Sequence, residues 1–142
     1  MPTNSRFAVA VHMLVLMAGA GDKPIKSDRM AASVNTNPVV IRRILCALAR
    51  AELISSQTGA CGGSRLARRP SQIALSEVYR AVEGGEISTL NCHAPNRRCP
   101  VGGSMEMILD EVLTEVNTAV ERALAKMTLE QIWQSIRAHK KL

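Results

Sequence analysis

Apolar residues recur at helical spacing through most of this chain. Residues 5–18 set Phe7, Val11, Leu14, Val15 and Ala18 on one face, with Asn4 or Ser5 as cap and Gly19 and Gly21 as the stop. Ser27 precedes a short helical segment that Asn35-Thr36-Asn37 breaks. Asn37-Pro38 then predicts a new helix start, because the asparagine oxygen can cap and proline's missing N–H costs nothing at the first helical position. That helix is expected over about 38–51, with Val40, Ile44, Leu45 and Leu48 as its buried stripe and Cys46 as a small buried apolar residue beside them.

The pattern then changes. Leu53-Ile54 and Leu66 fall in two short extended runs joined by a glycine-containing tip, TGACGG, which predicts a β-hairpin. Ile73-Ala74-Leu75 leads into a helix over 76–83, stopped by Gly84-Gly85. A loop over 84–103 carries two prolines, two further glycines after its start, and two cysteines. A long helix is expected over 104–126. Met105, Leu109, Val112, Val116, Ala119 and Ala123 form one stripe, and Ile108, Leu113, Val120 and Leu124 a second beside it. One stripe suffices for the chain's own core, so the second predicts a further covered surface, that of another subunit. Thr128 with Glu130-Gln131 predicts a capping box opening a last helix.

Composition sharpens this picture at two points. Hydrophobic residues make up 46% of the 142 residues but aromatics only 2%, which favours a core of packed helices over a β-sandwich. The net charge of +6 is unevenly placed: residues 1–80 hold eleven Lys/Arg against four Asp/Glu, and residues 81–142 hold seven against eight. A basic balance is compatible with nucleic acid, an anionic membrane surface or solubility alone; here the positive charge belongs to the part with the short helices and the hairpin. The N-terminus lacks a secretory pattern and no apolar run approaches the length of a bilayer, so a cytoplasmic protein without a membrane partner is expected, its cysteines reduced.

Three helices followed by a hairpin, with a turn of about four residues between the second and third, is the order of a winged helix-turn-helix. The fold class expected is therefore mainly α with a small β-hairpin wing, plus a long C-terminal dimerisation helix. The expected domains are a DNA-binding domain at 1–83, a sensor loop at 84–103, and a dimerisation and C-terminal helix region at 104–142. In such a motif the start of the third helix enters the major groove. Asn35, Thr36, Asn37, Val39 and Val40 stand there, with Arg42 and Arg43 one turn on. Small polar groups reach base edges, and arginines reach guanine or phosphate. In the wing, Ser64, Arg65, Arg68 and Arg69 are placed to meet a phosphate strand or the minor groove. Taken singly, an Arg-Arg pair is a solvated helix face and Asn-Thr-Asn-Pro is a turn; their order along the chain carries the reading.

The stretches SRFAVAVHMLVLMA, VNTNPVVIRRILCALARAELISSQTGACGGSRLAR, IALSEVYRAVEGG and MTLEQI, in that order, resemble the Rrf2 family of bacterial winged-helix repressors over nearly the whole chain. The resemblance implies a homodimer on a roughly palindromic double-stranded operator. It places base and phosphate contacts on Asn37, Val39, Val40, Arg42 and Arg43 and on Ser64 and Arg65 of the wing. It also implies a dimer interface on the long helix, here assigned to Leu109, Val112, Val116 and Ala119. The family's wing usually has an aromatic residue after the last glycine, where this chain has Ser64.

Cluster-binding members of that family carry three cysteines in the loop before the dimer helix. Here the loop has two, Cys92 and Cys99, with His93 beside the first. The branch without a cluster is the better match and no cofactor is expected. An iron–sulfur cluster held by Cys92, His93, Cys99 and a partner residue is the alternative. As zinc ligands these three fall short of four at C-x₂₋₄-C spacing. A thiol switch needs fewer groups: Cys92 and Cys99, with Arg97-Arg98 favouring the thiolate, and Cys61 at the exposed wing tip. No nucleophile–base set, phosphate loop or metal-hydrolase motif points to an enzyme. The remaining readings are a cluster- or small-molecule-sensing regulator of the same fold, and a dimeric protein-interaction module that binds no DNA.

Overall fold

The computed structural model describes residues 5–83 and 95–140. Along the chain run α1 (Ser5–Ala20), α2 (Ser27–Val34), α3 (Pro38–Arg50), β1 (Ile54–Gln57), β2 (Gly63–Leu66), a 3₁₀ turn (Pro70–Gln72), α4 (Leu75–Glu83), α5 (Pro100–Ala125) and α6 (Leu129–Lys140). This is a winged helix-turn-helix, mainly helical, with a long helix behind it.

The core forms around α1, whose Val9, Ala10, Met13, Leu14, Val15 and Met17 are all buried. So broad a buried face belongs to a helix surrounded by others, and α2, α3, α4, α6 and β2 all pack on it. Its first turn is satisfied from a distance: Phe7 N donates to Glu83 Oε1 at 3.2 Å, placing a carboxylate at the positive end of the helix. Phe7 also meets Tyr79 edge to face at 5.6 Å. Burial first, and the Glu83 carboxylate second, raise the Tyr79 phenol above its ordinary value. Of the two glycines expected to end the helix, Gly21 does so, just past Ala20 with φ 64°, and Gly19 does not. The helix runs through to Ala20, and Gly19 has a different reason: a methyl group there would come within 2.8 Å of the Trp133 ring of α6.

The turn between α2 and α3 follows from its asparagines. Asn35 takes the left-handed conformation (φ 61°), which asparagine tolerates better than most side chains, and Thr36 N reaches back to Ala31 O at 3.1 Å. Asn37 Oδ1 then accepts from Val39 N at 2.9 Å, the predicted cap ahead of Pro38. Within α3 the fully buried residues are Ile41, Ile44 and Leu48. The expected stripe was rotated from this, since Val40 and Leu45 are only partly buried and flank it. Cys46 is exposed, not buried, because it lies about 200° round the helix from Ile44 at 100° per residue.

The wing is antiparallel, pairing Ile54 with Leu66, Ser55 with Arg65, Ser56 with Ser64 and Gln57 with Gly63. A residue from the α1–α2 connection completes it: Ile25 and Ser64 exchange both backbone hydrogen bonds at 2.9 Å. Gly63 makes this approach possible. Its φ is +149° and a Cβ there would lie 2.7 Å from Ile25 O.

α5 has 26 residues, about 39 Å of helix at 1.5 Å per residue, and none of them is buried. It starts at Pro100, so the loop boundary expected at 103 lies inside the helix. Packing against α4 and the Arg80–Glu121 ion pair hold it to the winged helix. α6 turns back. Thr128 and Gln131 form the predicted capping box, with Gln131 N on Thr128 Oγ1 and Thr128 N on Gln131 Oε1. Leu129 is fully buried in the main core, and its N–H donates to Ile73 O at 2.9 Å. The C-terminal helix therefore packs with the winged helix and is no appendage of α5.

Candidate nucleic-acid interface

With Ile41, Ile44 and Leu48 turned inward, α3 presents Val39, Arg42, Arg43, Cys46 and Arg50 outward, at spacings of three and four. Val39 is 46% exposed, which is unusual for a β-branched apolar residue and leaves its methyl groups available to a partner. Arg50 and Cys46 belong to this face although the sequence reading assigned neither to it; the signal was the same helical spacing, taken from Ile41 rather than Val40. Asn37 is exposed, but its Oδ1 is occupied as the helix cap, which leaves the amide NH₂ as the group free to meet a base. Thr36 is half buried, and Val40 packs against the core, so Val40 serves the fold more than the outer face.

In the wing the expected contacts divide. Arg65 and Arg69 are exposed. Ser64 is not: it is 4% exposed, its hydroxyl lies 3.0 Å from that of Ser56, and its backbone is paired with Ile25. It ties the wing to the domain and cannot reach a phosphate. Arg68 is also committed to the fold, donating through Nη1 to Glu77 Oε1 at 3.0 Å and Gln72 O at 3.2 Å. Glu77 in turn accepts from Ala74 N at 3.0 Å, so this cluster shapes the turn into α4. Arg42, Arg43, Arg50, Arg65 and Arg69 form no ion pair with any described residue. An uncompensated cationic surface of this kind, built on a rigid helix and an adjoining hairpin, suits a polyanion.

The family model described as "Rrf2: Iron-dependent Transcriptional regulator" matches residues 3–135. The chain belongs to the Rrf2 family. It is 42% identical over 129 residues to YwnA of Bacillus subtilis (strain 168), named as a candidate HTH-type transcriptional regulator, covering 91% of this chain and 95% of YwnA. A solved structure of a candidate DNA-binding protein is 39% identical, with a TM-score of 0.72 over 90% of this chain and 98% of that one. The fold is shared as well with CymR (YrzC), the global cysteine regulator of B. subtilis, at a TM-score of 0.68 and 20% identity over 95% of this chain and 98% of CymR. This Rrf2 protein is thus a transcriptional regulator.

Of the expected sensor and metal-ligand candidates, Cys92 and His93 lie outside the described residues. Cys99 is the N-cap residue of α5 and is fully exposed. Its thiol makes no formed capping bond, yet the backbone N–H groups of Gly102 and then Val101 hold it below the usual thiol range. The cause is the open N-terminus of the helix, not the adjacent Arg97-Arg98 pair that the sequence suggested. Cys61 is exposed in the wing connection. Among the described residues, no helix is long and apolar enough to cross a membrane.

Along α5, Leu109, Val112, Val116 and Ala119 are all exposed, as are Val101, Met105, Met107 and Ile108. Val112 is 50% exposed in the middle of the helix. In the single chain this apolar stripe faces solvent along the length of α5.

Proposed function

We propose that this Rrf2 regulator is a cytoplasmic homodimer that binds a palindromic double-stranded operator and represses transcription. The observation that carries the reading is the outer face of α3, where Val39, Arg42, Arg43 and Arg50 stand exposed beyond the Asn37 cap with no acidic partner among the described residues. In the major groove the arginines would meet guanine edges or phosphates, and the Val39 methyls a thymine methyl. Arg65 and Arg69 of the wing would follow the backbone. The exposed stripe of α5 pairs two copies, so that two α3 helices enter successive major grooves. Ser64 and Arg68 act in this reading as positioning residues for the wing.

Thiol oxidation is the signal the geometry favours. Cys99 caps the dimer helix and its thiolate is stabilised by that helix's own N-terminus. A disulfide from Cys99, to Cys92 or across the dimer, would alter the start of α5; Cys61 is the second exposed candidate.

The test is fluorescence anisotropy with a labelled duplex from the gene's own upstream region, over a salt series. Affinity is expected to fall steeply with salt. Arg42→Ala or Arg43→Ala should cost about 1–3 kcal/mol if the residue reads guanine, or lower the salt slope by about one if it meets phosphate. Unchanged binding in both variants removes α3 from the interface. Loss of binding on mild oxidation, reversed by dithiothreitol and absent in Cys99→Ser, supports the switch. Equal affinity in both redox states discards it.

A further inference from the structure

A cavity of about 660 Å³ lies on the side of the domain where α1, the α1–α2 connection, the start of α2 and α6 meet. That volume falls within the roughly 300–1,000 Å³ typical of small-molecule sites. Its walls differ in chemistry. α1 and α6 contribute Val15, Leu16, Trp133 and Ile136, an apolar and partly aromatic surface. The connection and α2 contribute Lys23 and Arg29, and His12 of α1 lies at the same junction with Nε2 3.0 Å from Ser33 Oγ of α2. Among the described residues no acidic one lines the cavity, and neither Lys23 nor Arg29 forms an ion pair with any of them.

The aromatic wall is held in place by the backbone. Gly19 lets the Trp133 ring lie directly on α1, since a Cβ at that position would come within 2.8 Å of the ring. Ile25 also lines the cavity and is pinned by its two backbone hydrogen bonds to Ser64. The cavity thus carries an aromatic ring and two cations that form no ion pair with a described residue.

We propose that this cavity binds a small organic carboxylate with an aryl or branched alkyl body, the body against Trp133, Leu16 and Ile136 and the carboxylate on Lys23 and Arg29. Two cations without acidic partners on an apolar cavity select for an anion with an apolar body over a neutral or cationic analogue. The site is separate from the outer face of α3 and from the thiols, and its test requires no DNA.

Trp133 is the chain's only tryptophan, so all tryptophan emission of the folded protein comes from a residue that lines the cavity. The full-length protein is titrated with 3-phenylpropionate, and in parallel with 3-phenylpropanamide and 3-phenylpropylamine. The expected result is a saturable change in Trp133 emission with the carboxylate and none with the other two. Lys23→Gln and Arg29→Gln, both at exposed positions, should each weaken binding by about fivefold or more while circular dichroism stays unchanged. The proposal is overturned by the absence of a saturable change at millimolar carboxylate, by an equal response to the amide, or by unaltered affinity in both variants.

Discussion

Replacing Gly63 by alanine places a methyl group 2.7 Å from Ile25 O and 2.8 Å from Ile25 C, both backbone atoms of a buried residue. Neither can rotate away, so β2 must move and the paired hydrogen bonds between Ile25 and Ser64, each 2.9 Å, are lost or stretched. Two such bonds contribute about 1 kcal/mol each. Holding a non-glycine residue at the Gly63 φ of +149° adds about 1–3 kcal/mol of backbone strain. The destabilisation expected is therefore about 3–5 kcal/mol, a fall in Tm of roughly 10 °C or more for a chain of this size. Gly59 supplies an internal control, because its φ is +103° but nothing lies within 4 Å of a Cβ there. Gly59→Ala should cost the strain alone. Urea unfolding followed by Trp133 emission measures both variants, and the difference between them isolates the clash with Ile25. If Gly63→Ala is no more destabilising than Gly59→Ala, the wing is not tethered through that close approach and the reasoning fails. If the tether exists, Gly63→Ala should also weaken operator binding at temperatures where the domain remains folded, since the wing loses its fixed position.

Val112→Asp, at a position half exposed in the protomer, should leave Tm of the winged helix nearly unchanged yet give monomers by light scattering; a variant that stays dimeric removes the middle of α5 from the interface. With Cys61, Cys92 and Cys99 changed to serine, alkylation of Cys46 by N-ethylmaleimide should abolish operator binding, because that thiol stands on the outer face of α3; full binding after complete modification, verified by mass, would place that face away from DNA. Cys99 is an acid whose pKa is lowered in the folded protein, so its thiolate persists to lower pH than in the unfolded chain. Its iodoacetamide rate should hold up as pH falls further than that of Cys99 in urea, and coincident profiles would refute the helix N-terminal effect. Glu52 carries a φ of 60° just beyond α3, and Glu52→Gly should raise stability by about 1 kcal/mol in urea unfolding, with no gain if that strain is absent.

Much of this architecture is written in short-range chemistry. Asn37 before Pro38, Thr128 three residues ahead of Gln131, and the spacing of apolar residues act over one helical turn, so the winged-helix order and both caps could be read directly from the chain. The basic character of the N-terminal part needed only a count of charges. Other features depend on what the fold brings alongside. Which of Val40 or Ile41 faces the core was decided by how α3 docks on α1 and α4, and that rotation alone moved Cys46 and Arg50 to the outer face. Ser64 and Arg68 read as free wing residues until Ser56 and Ile25 enclose one and Glu77 clamps the other. Gly19 looks like a helix stop, and only the return of α6 shows it to be the floor beneath Trp133. A local pattern records which side chains a helix carries and how its ends are satisfied. The partner that covers each face is set by packing between distant segments, and no periodicity within one segment encodes it.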